Sequence, residues 1–241
     1  MDSMFHYKKL TKYSEPFNHY IIDDFLDETT AKSLSDNFPA IDDNWYKYDN
    51  HFEKKRAIDN LAYMPPLHSF VLMAFNSREF VEALEMITGI SGLIPDPWLR
   101  GGGLHQIIHG GKLDVHADFN LHPHLKLHRR LNVLLYLNQG WQKEWNGQLE
   151  LWEKDMSKCS KKIDPVFNKL VIFETNDDSF HGHPDPLACP EDVTRKSMAL
   201  YYYTAPETNI IPHSTMFQKR PDDITTPEIE ELRVQRGIRR L

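Results

Sequence analysis

Thirteen histidines are spread through the 241-residue chain, and eight of them (His105, His109, His116, His122, His124, His128, His181 and His183) fall in the stretch from 105 to 183. Neutral imidazole is the commonest protein metal ligand and a frequent acid–base group, so the density calls for a chemical reading without proving one. In His116-Ala117-Asp118, a strand turns His116 and Asp118 to one face and Ala117 to the other. One imidazole and one carboxylate can then meet one ion. The best third ligand is His181 in Ser179-Phe180-His181-Gly182-His183, just beyond the apolar run 169–174. Two histidines and a carboxylate on one triangular face of an octahedron leave three positions open, the arrangement of a non-haem Fe(II) centre. An isolated H-x-D is usually a surface histidine beside a solvated aspartate. Here a second feature joins it. In Arg195-Lys-Ser-Met-Ala-Leu-Tyr-Tyr-Tyr203, period two puts Arg195, Ser197, Ala199, Tyr201 and Tyr203 on a common face. A buried arginine on a core strand is expensive unless it meets an anion, and its planar fork suits a carboxylate.

The elements that must carry these residues are legible in outline. Residues 17 to 26 read as a short strand, after which Asp27 is an N-cap for a helix through about Asn37, stopped by Pro39. A second helix is capped by Ser77, carries Phe80, Val81, Leu84 and Ile87 on one face, and ends at Gly89. Residues 40 to 64 are polar and aromatic without a clean period, and Leu67 to Phe75 reads as another buried helix. From Leu104 onward come short β-type runs broken by Gly, Asn, Asp and Pro: 104–109, 112–118, 131–137, 148–152, 169–174 and 195–203. An antiparallel all-β core, sandwich or barrel, is the economical reading. Beyond Pro206 the tail is polar, except that Thr226-Pro227-Glu228 starts a helix which Ile229 and Leu232 could dock. One domain is expected over 1–241: a mixed support region over 1–95, a β core over 96–206 and an extension over 207–241.

Composition sets the limits. With 28 Lys plus Arg against 35 Asp plus Glu, the formal charge is −7, which argues against broad binding to a phosphate backbone. No apolar run approaches the roughly 18 residues needed to span a bilayer. The start Met1-Asp2-Ser3-Met4-Phe5-His6 lacks a signal-peptide pattern. Cys159 and Cys189 are the chain's two cysteines, read as free thiols in a cytoplasmic setting. No nucleic-acid or membrane partner is expected.

Taken in order, the H-x-D at His116 and Asp118, His181 after Asn168-Lys-Leu-Val-Ile-Phe-Glu174, and Arg195 before small and aromatic residues resemble the 2-oxoglutarate- and Fe(II)-dependent dioxygenases. The prolyl-hydroxylase-like branch is nearest. Tyr136-Leu-Asn138, Asn146-Gly147-Gln-Leu149 and the Pro16-Phe17 to Phe25-Leu26 segment extend the likeness over most of residues 16 to 206. The resemblance implies a double-stranded β-helix, a cupin-like jelly-roll making the chain mainly β within an α+β class, supported by amino-terminal helices. It implies Fe(II) on His116, Asp118 and His181, and 2-oxoglutarate with its far carboxylate on Arg195 and Tyr136 and its pocket lined by Leu149. O₂ is the oxidant and ascorbate an accessory reductant. The reaction it implies is hydroxylation of a C–H bond with succinate and CO₂ as co-products, on a prolyl residue of a peptide or protein. A small metabolite, such as a free amino acid or sugar derivative, is the alternative substrate. A non-oxygenase cupin-like metal protein is the alternative class, but after His122-Pro-His124 the sequence gives Leu125, Lys126, Leu127 and His128 where cupins commonly place a glutamate.

Several residues carry weaker readings. His183 shares a face with His181 on an extended segment; His181 is preferred as the ligand because His183 precedes Pro184. Lys196 points away from the core. Asn120 caps a turn or meets substrate. His122, His124 and His128 with Lys126, Arg129 and Arg130 form a solvated rim that can touch substrate. His109-Gly110-Gly111 makes a tight turn. Trp141, Trp145 and Trp152 anchor loops or core. Arg233, Arg236, Arg239 and Arg240 form a solvated helix face.

Overall fold

The computed structural model describes residues 4–206 and 210–238. In chain order it has β1 (Leu10–Tyr13), β2 (His19–Ile22), α1 (Glu28–Asp36), β3 (Tyr46–Asp49), β4 (Glu53–Ile58), α2 (Pro66–Phe75), α3 (Arg78–Thr88), β5 (Ile94–Pro95) and β6 (Gly103–Ile107). There follow β7 (Lys112–Ala117), β8 (His128–Tyr136), β9 (Leu149–Trp152), β10 (Cys159–Ile163), β11 (Lys169–Glu174), β12 (His181–His183), β13 (Arg195–Thr204), β14 (Met216–Phe217) and α4 (Pro227–Ile238). One sheet holds all the strands, in the order β1-β2-β11-β8-β13-β6-β4-β7-β12-β9-β10, with β14 beside β7, β3 beside β4 and β5 beside β13.

Period two explains the layering. Along β11, Leu170 and Ile172 enter a core shared with the helices, whereas Val171 and Phe173 enter a second one inside the sheet. β8 divides likewise: Leu131, Val133 and Leu135 face the helices, while Asn132, Leu134 and Tyr136 face inward. Buried on both faces, these strands read as continuous apolar runs. Val171, Phe173 and Tyr136 pack against Leu149 and Leu151 of β9 and Ile163 of β10, although β9 and β10 close the opposite end of the hydrogen-bonding order. Only a sheet curled back on itself allows this, and the result is the double-stranded β-helix. β4 makes the bend, pairing β6 through Arg56, Ala57 and Ile58 and β7 through Glu53 and Lys54.

The helices cover the outer face. Asp27 caps α1 by accepting from the Thr30 N–H at 2.9 Å, Ser77 caps α3 through Phe80 N–H, and α3 ends at Gly89. Phe5, Phe25, Phe75 and Phe80 interlock beneath them with ring centroids 4.8 to 6.0 Å apart. No helix among the described residues is long and apolar enough to cross a membrane.

Two sequence expectations change. The aperiodic stretch 40–64 contains the β3–β4 hairpin; β4 carries Glu53 to Ile58 on bent, partly polar strand that alternation does not mark. The carboxy-terminal helix forms, but Leu232 is 48 % exposed. It docks instead through arginine: Arg233 and Arg236 lie over the Phe52 ring and Arg236 over Phe217, and Arg236 reaches Glu53 at 3.2 Å. A guanidinium plane can cover aromatic surface and keep an ion pair at once, which corrects the solvated-face reading of both residues. Arg239 and Arg240 lie outside the described residues, as do Met1 to Ser3.

Phe80 is fully buried among the four rings and Met86, on the same helix, is 78 % exposed. Phe80→Ala is expected to lower unfolding free energy by about 3–5 kcal/mol, and Met86→Ala by less than about 0.5 kcal/mol, as measured by urea denaturation.

Candidate active site

β7 and β12 pair so that His181 stands directly opposite His116. Each ring is aimed by its own backbone: His116 Nδ1 lies 2.8 Å from the Asp114 carbonyl and His181 Nδ1 lies 2.9 Å from that of Ser179. With Nδ1–H donating to a carbonyl, Nε2 presents its lone pair. Asp118, one residue past β7, brings its carboxylate to both, at 3.5 Å from His116 Nε2 and 3.4 Å from His181 Nε2. The three ligand atoms lie within 4.8 Å of one another. That is a triangle one cation can cap, and it joins the three side chains that the sequence analysis selected.

Gly182 is the reason β12 can approach this closely. A Cβ there would lie 2.8 Å from the Leu113 carbonyl oxygen and 2.9 Å from that of Asp114. Across from it the ladder slips by a bulge, with His181 paired to His116 but His183 to Leu113. Bulges of this kind re-aim side chains beside sites.

Asp118 is held from behind. Arg129 Nη2 lies 3.1 Å from its Oδ2, and Asn132 Nδ2 donates to the same oxygen at 2.7 Å. Asn132 Oδ1 in turn accepts from Arg129 Nε and Nη2 at 3.0 and 2.7 Å. Burial pushes the Asp118 carboxyl up, but Arg129 and His181 overcome it and hold the group well below the usual carboxylate range. Arg129 itself is clamped between Tyr201, 3.5 Å from ring centroid to Cζ, and Phe119, at 4.5 Å. Sequence reasoning placed Arg129 on a solvated rim. β8 begins at His128, three residues earlier than expected, so Arg129 pairs with Tyr203 inside the ladder and is 2 % exposed. The available signal was the aromatic face Tyr201 and Tyr203, a natural bed for a guanidinium.

A cavity of about 300 Å³ runs from this triad to Arg195. Leu149, Leu134 and Phe173 form apolar wall, and Phe119, Tyr48, Arg100 and Pro123 stand along the same cavity. Arg195 is 4 % exposed. Its Nε donates to the Gly147 carbonyl at 2.8 Å and its Nη2 to the Tyr136 hydroxyl at 3.3 Å. Among the described residues no carboxylate pairs with it, and burial draws its pKa below the ordinary arginine value. Gly147, at φ +80, lets this happen: a Cβ would meet Leu187 Cδ2 at 2.7 Å and Arg195 Cδ at 3.1 Å. Tyr136 thus stands beside Arg195, and Leu149 lies on the cavity wall.

The weaker readings divide. His183 lines the cavity, buried, but outside the triad. Lys196 points away, its backbone N–H bonded to Asn138 Oδ1. Asn120 neither caps a turn nor meets the cavity; it clamps the tail, donating to the Ile211 carbonyl and accepting from His213 N–H. His122 is fully buried, 3.4 Å from Asp96, and its Nδ1 accepts from His124 and Leu125 N–H, so it builds the loop from within, contrary to the rim reading. His109 and Gly110 form the expected turn. Trp141 and Trp145 pack on each other near Leu187, and Trp152 packs on Val115 and Phe180, all away from the cavity. Cys159 and Cys189 are free.

The same region carries the relationships to known proteins. The profile of the 2OG-Fe(II) oxygenase superfamily matches residues 102–203. A prolyl 3-hydroxylase of Mus musculus, OGFOD1, is 33% identical over 79 residues, 31% of this chain and 14% of that protein, so the match spans about one seventh of the relative's length. Among solved structures, a Pseudomonas putida prolyl-4-hydroxylase superposes with a TM-score of 0.53 at 16% identity, covering 77% of this chain and 92% of that one. A Trichoplax adhaerens prolyl hydroxylase in complex with a hypoxia inducible factor peptide fragment gives 0.56 at 18% identity, covering 77% and 83%. At these identities the structural likeness speaks to the fold. Profile, curated relative and fold point the same way: residues 102–203 match the 2OG-Fe(II) oxygenase superfamily, and the chain is similar in sequence or in fold to proteins described as prolyl hydroxylases.

Proposed function

We propose that the chain is a 2-oxoglutarate- and Fe(II)-dependent oxygenase that hydroxylates a C–H bond, with a prolyl residue of a peptide or protein as its substrate. The observation that carries this is the buried Arg195 guanidinium without a carboxylate partner, set across one cavity from a His-Asp-His triangle. An unpaired buried cation is costly and marks the seat of an anion. The donor set, two imidazoles and one carboxylate, suits Fe(II) with open positions.

In this reading His116 Nε2, His181 Nε2 and Asp118 hold the metal, and Arg195 with Tyr136 binds the far carboxylate of 2-oxoglutarate. When bound, iron and 2-oxoglutarate supply the oxidising chemistry: one oxygen atom of O₂ enters the substrate C–H bond and the other enters succinate as CO₂ is lost. The chain's own residues bind and orient. Gly147 fixes Arg195 Nε, leaving its terminal nitrogens to form the planar fork that matches a carboxylate. Tyr136 hydroxyl adds a donor beside it. Leu134, Leu149 and Phe173 keep the cavity wall dry and strengthen these charge contacts. Arg129 and Asn132 hold Asp118 ionised and fixed, so that its carboxylate needs no reorganisation to meet a cation.

The prolyl assignment is supported by the curated relative and by the peptide-bound neighbour. The free thiols of Cys159 and Cys189 suit a reducing, cytoplasmic setting. The catalytic core is assigned to 96–206 of a single domain.

The defining test is turnover: with Fe(II), 2-oxoglutarate and O₂, the protein should form succinate, and a peptide substrate should gain the mass of one oxygen atom. Binding of iron without any 2-oxoglutarate binding would refute the proposal. Arg195→Met is expected to weaken 2-oxoglutarate by at least about 30-fold, the loss of a buried charge pair, with metal affinity unchanged by calorimetry. Asn132→Leu should do the reverse, lowering metal affinity about 10- to 100-fold while a metal-saturated sample keeps its 2-oxoglutarate affinity.

A further inference from the structure

Four histidines line the cavity: His105, His116, His181 and His183. Three anchor a ring nitrogen on a backbone carbonyl, His105 Nε2 at 3.1 Å from Gly101, His116 Nδ1 at 2.8 Å from Asp114 and His181 Nδ1 at 2.9 Å from Ser179. His183 anchors neither. It is 4 % exposed, its Nδ1 is fully buried without a partner, and no hydrogen bond reaches its Nε2 from any described residue. Buried polar atoms in folded proteins are nearly always paired, and each exception calls for a reason. The ring lies outside the metal triangle, so metal ligation is not that reason.

Position supplies one. On β12, His183 follows His181 by one full strand period and shares its face. It lines the same cavity that leads from the triad to the Arg195 guanidinium. Imidazole keeps at least one N–H in every protonation state, so an acceptor lodged on that path would find a donor there.

Resting on the proposed oxygenase reading, we infer that His183 is a cosubstrate-binding residue, donating a ring N–H to an oxygen of 2-oxoglutarate held between the metal triad and Arg195. The ligand then has three protein donors besides the metal, from Arg195, Tyr136 and His183. The bond satisfies a ring that the fold leaves unpaired.

The test measures 2-oxoglutarate binding by calorimetry to the full chain loaded with Zn(II), which holds the site without turnover. His183→Val, which removes both nitrogens, is expected to weaken 2-oxoglutarate about tenfold, the typical weight of a hydrogen bond to a charged group, with Zn(II) affinity unchanged. His183→Gln, which keeps a donor, should recover part of the loss. In the wild-type protein with ¹⁵N-labelled histidine, the His183 ring N–H should become protected from solvent exchange when 2-oxoglutarate is added; this reading needs no variant to fold. Unchanged 2-oxoglutarate affinity in His183→Val, loss of Zn(II) binding in that variant, or an unprotected ring proton each overturns the inference. Failure of wild-type, Zn(II)-loaded protein to bind 2-oxoglutarate would instead overturn the oxygenase reading, and the role of His183 with it.

Discussion

The register that sets His181 opposite His116 across β7 and β12 is the constraint on which the rest of the site depends. Neighbouring strands lie only about 4.8 Å apart, so a directly opposed pair brings two imidazoles to one ion, and a slip of one residue would send one of them to the other face. The chain protects the register in several ways. Gly182 removes the Cβ that would strike the Leu113 and Asp114 carbonyls. The other edge of β12 is fixed by β9, with His181 opposite Leu151 and Gly182 opposite Glu150. Phe173, from the facing part of the curled sheet, packs its ring 4.5 Å from His181. The closure of the sheet and the geometry of the triad are thus one physical event.

Charge in the interior follows from that closure. Among the described residues two arginines of the curled sheet, Arg129 and Arg195, are nearly dry, and both are costly to bury. Arg129 is compensated within the chain by Asp118, Asn132 and the Tyr201 ring. Among the described residues Arg195 has the Gly147 carbonyl and the Tyr136 hydroxyl, with the Tyr136 ring at 4.9 Å. Their different neighbours give them different work. The first stabilises an anion the protein owns, and the second has no carboxylate beside it among the described residues. With Asp118 ionised by Arg129, the triad is ready for a cation before any arrives, so metal binding has little rearrangement to oppose it.

Much of this was legible in the sequence, for physical reasons that also explain what was not. Strands such as β11, buried on both faces, announce themselves as apolar runs, and the helix of Ser77 to Gly89 carries its cap, its stripe and its stop. His116, Asp118, His181 and Arg195 could be singled out because period two is strict within a strand, and such side chains need one another. Arg129 was missed because its strand begins among histidines and arginines that look like a loop. His122 was misplaced because composition cannot show that its ring turns inward to Asp96. Asn120 was misjudged because its partners, Ile211 and His213, lie some ninety residues away. Local pattern reports what a residue's neighbours in sequence dictate; it is silent where the deciding partner is brought in by the fold.

The same division runs through the cavity itself. Its inner end is made by strands whose registers fix each donor: β7, β8, β12 and β13. The remaining wall is assembled from parts the sequence left unmarked, Tyr48 and Lys55 of the β3–β4 hairpin and Arg100 in the turn before β6, and from Arg236 of α4, whose pattern reads as a solvated face. There Glu53 serves two cations, Lys55 at 3.4 Å and Arg236 at 3.2 Å, and Lys55 also lies over the Tyr48 ring at 4.8 Å. One carboxylate between two cations, with Arg100 beside them, leaves that wall positive on a chain whose net charge is −7. A rigid, strand-built chemistry end and a wall drawn from hairpin, turn and terminal helix can vary independently, because the first is tied to the closure of the sheet and the second is only docked upon it.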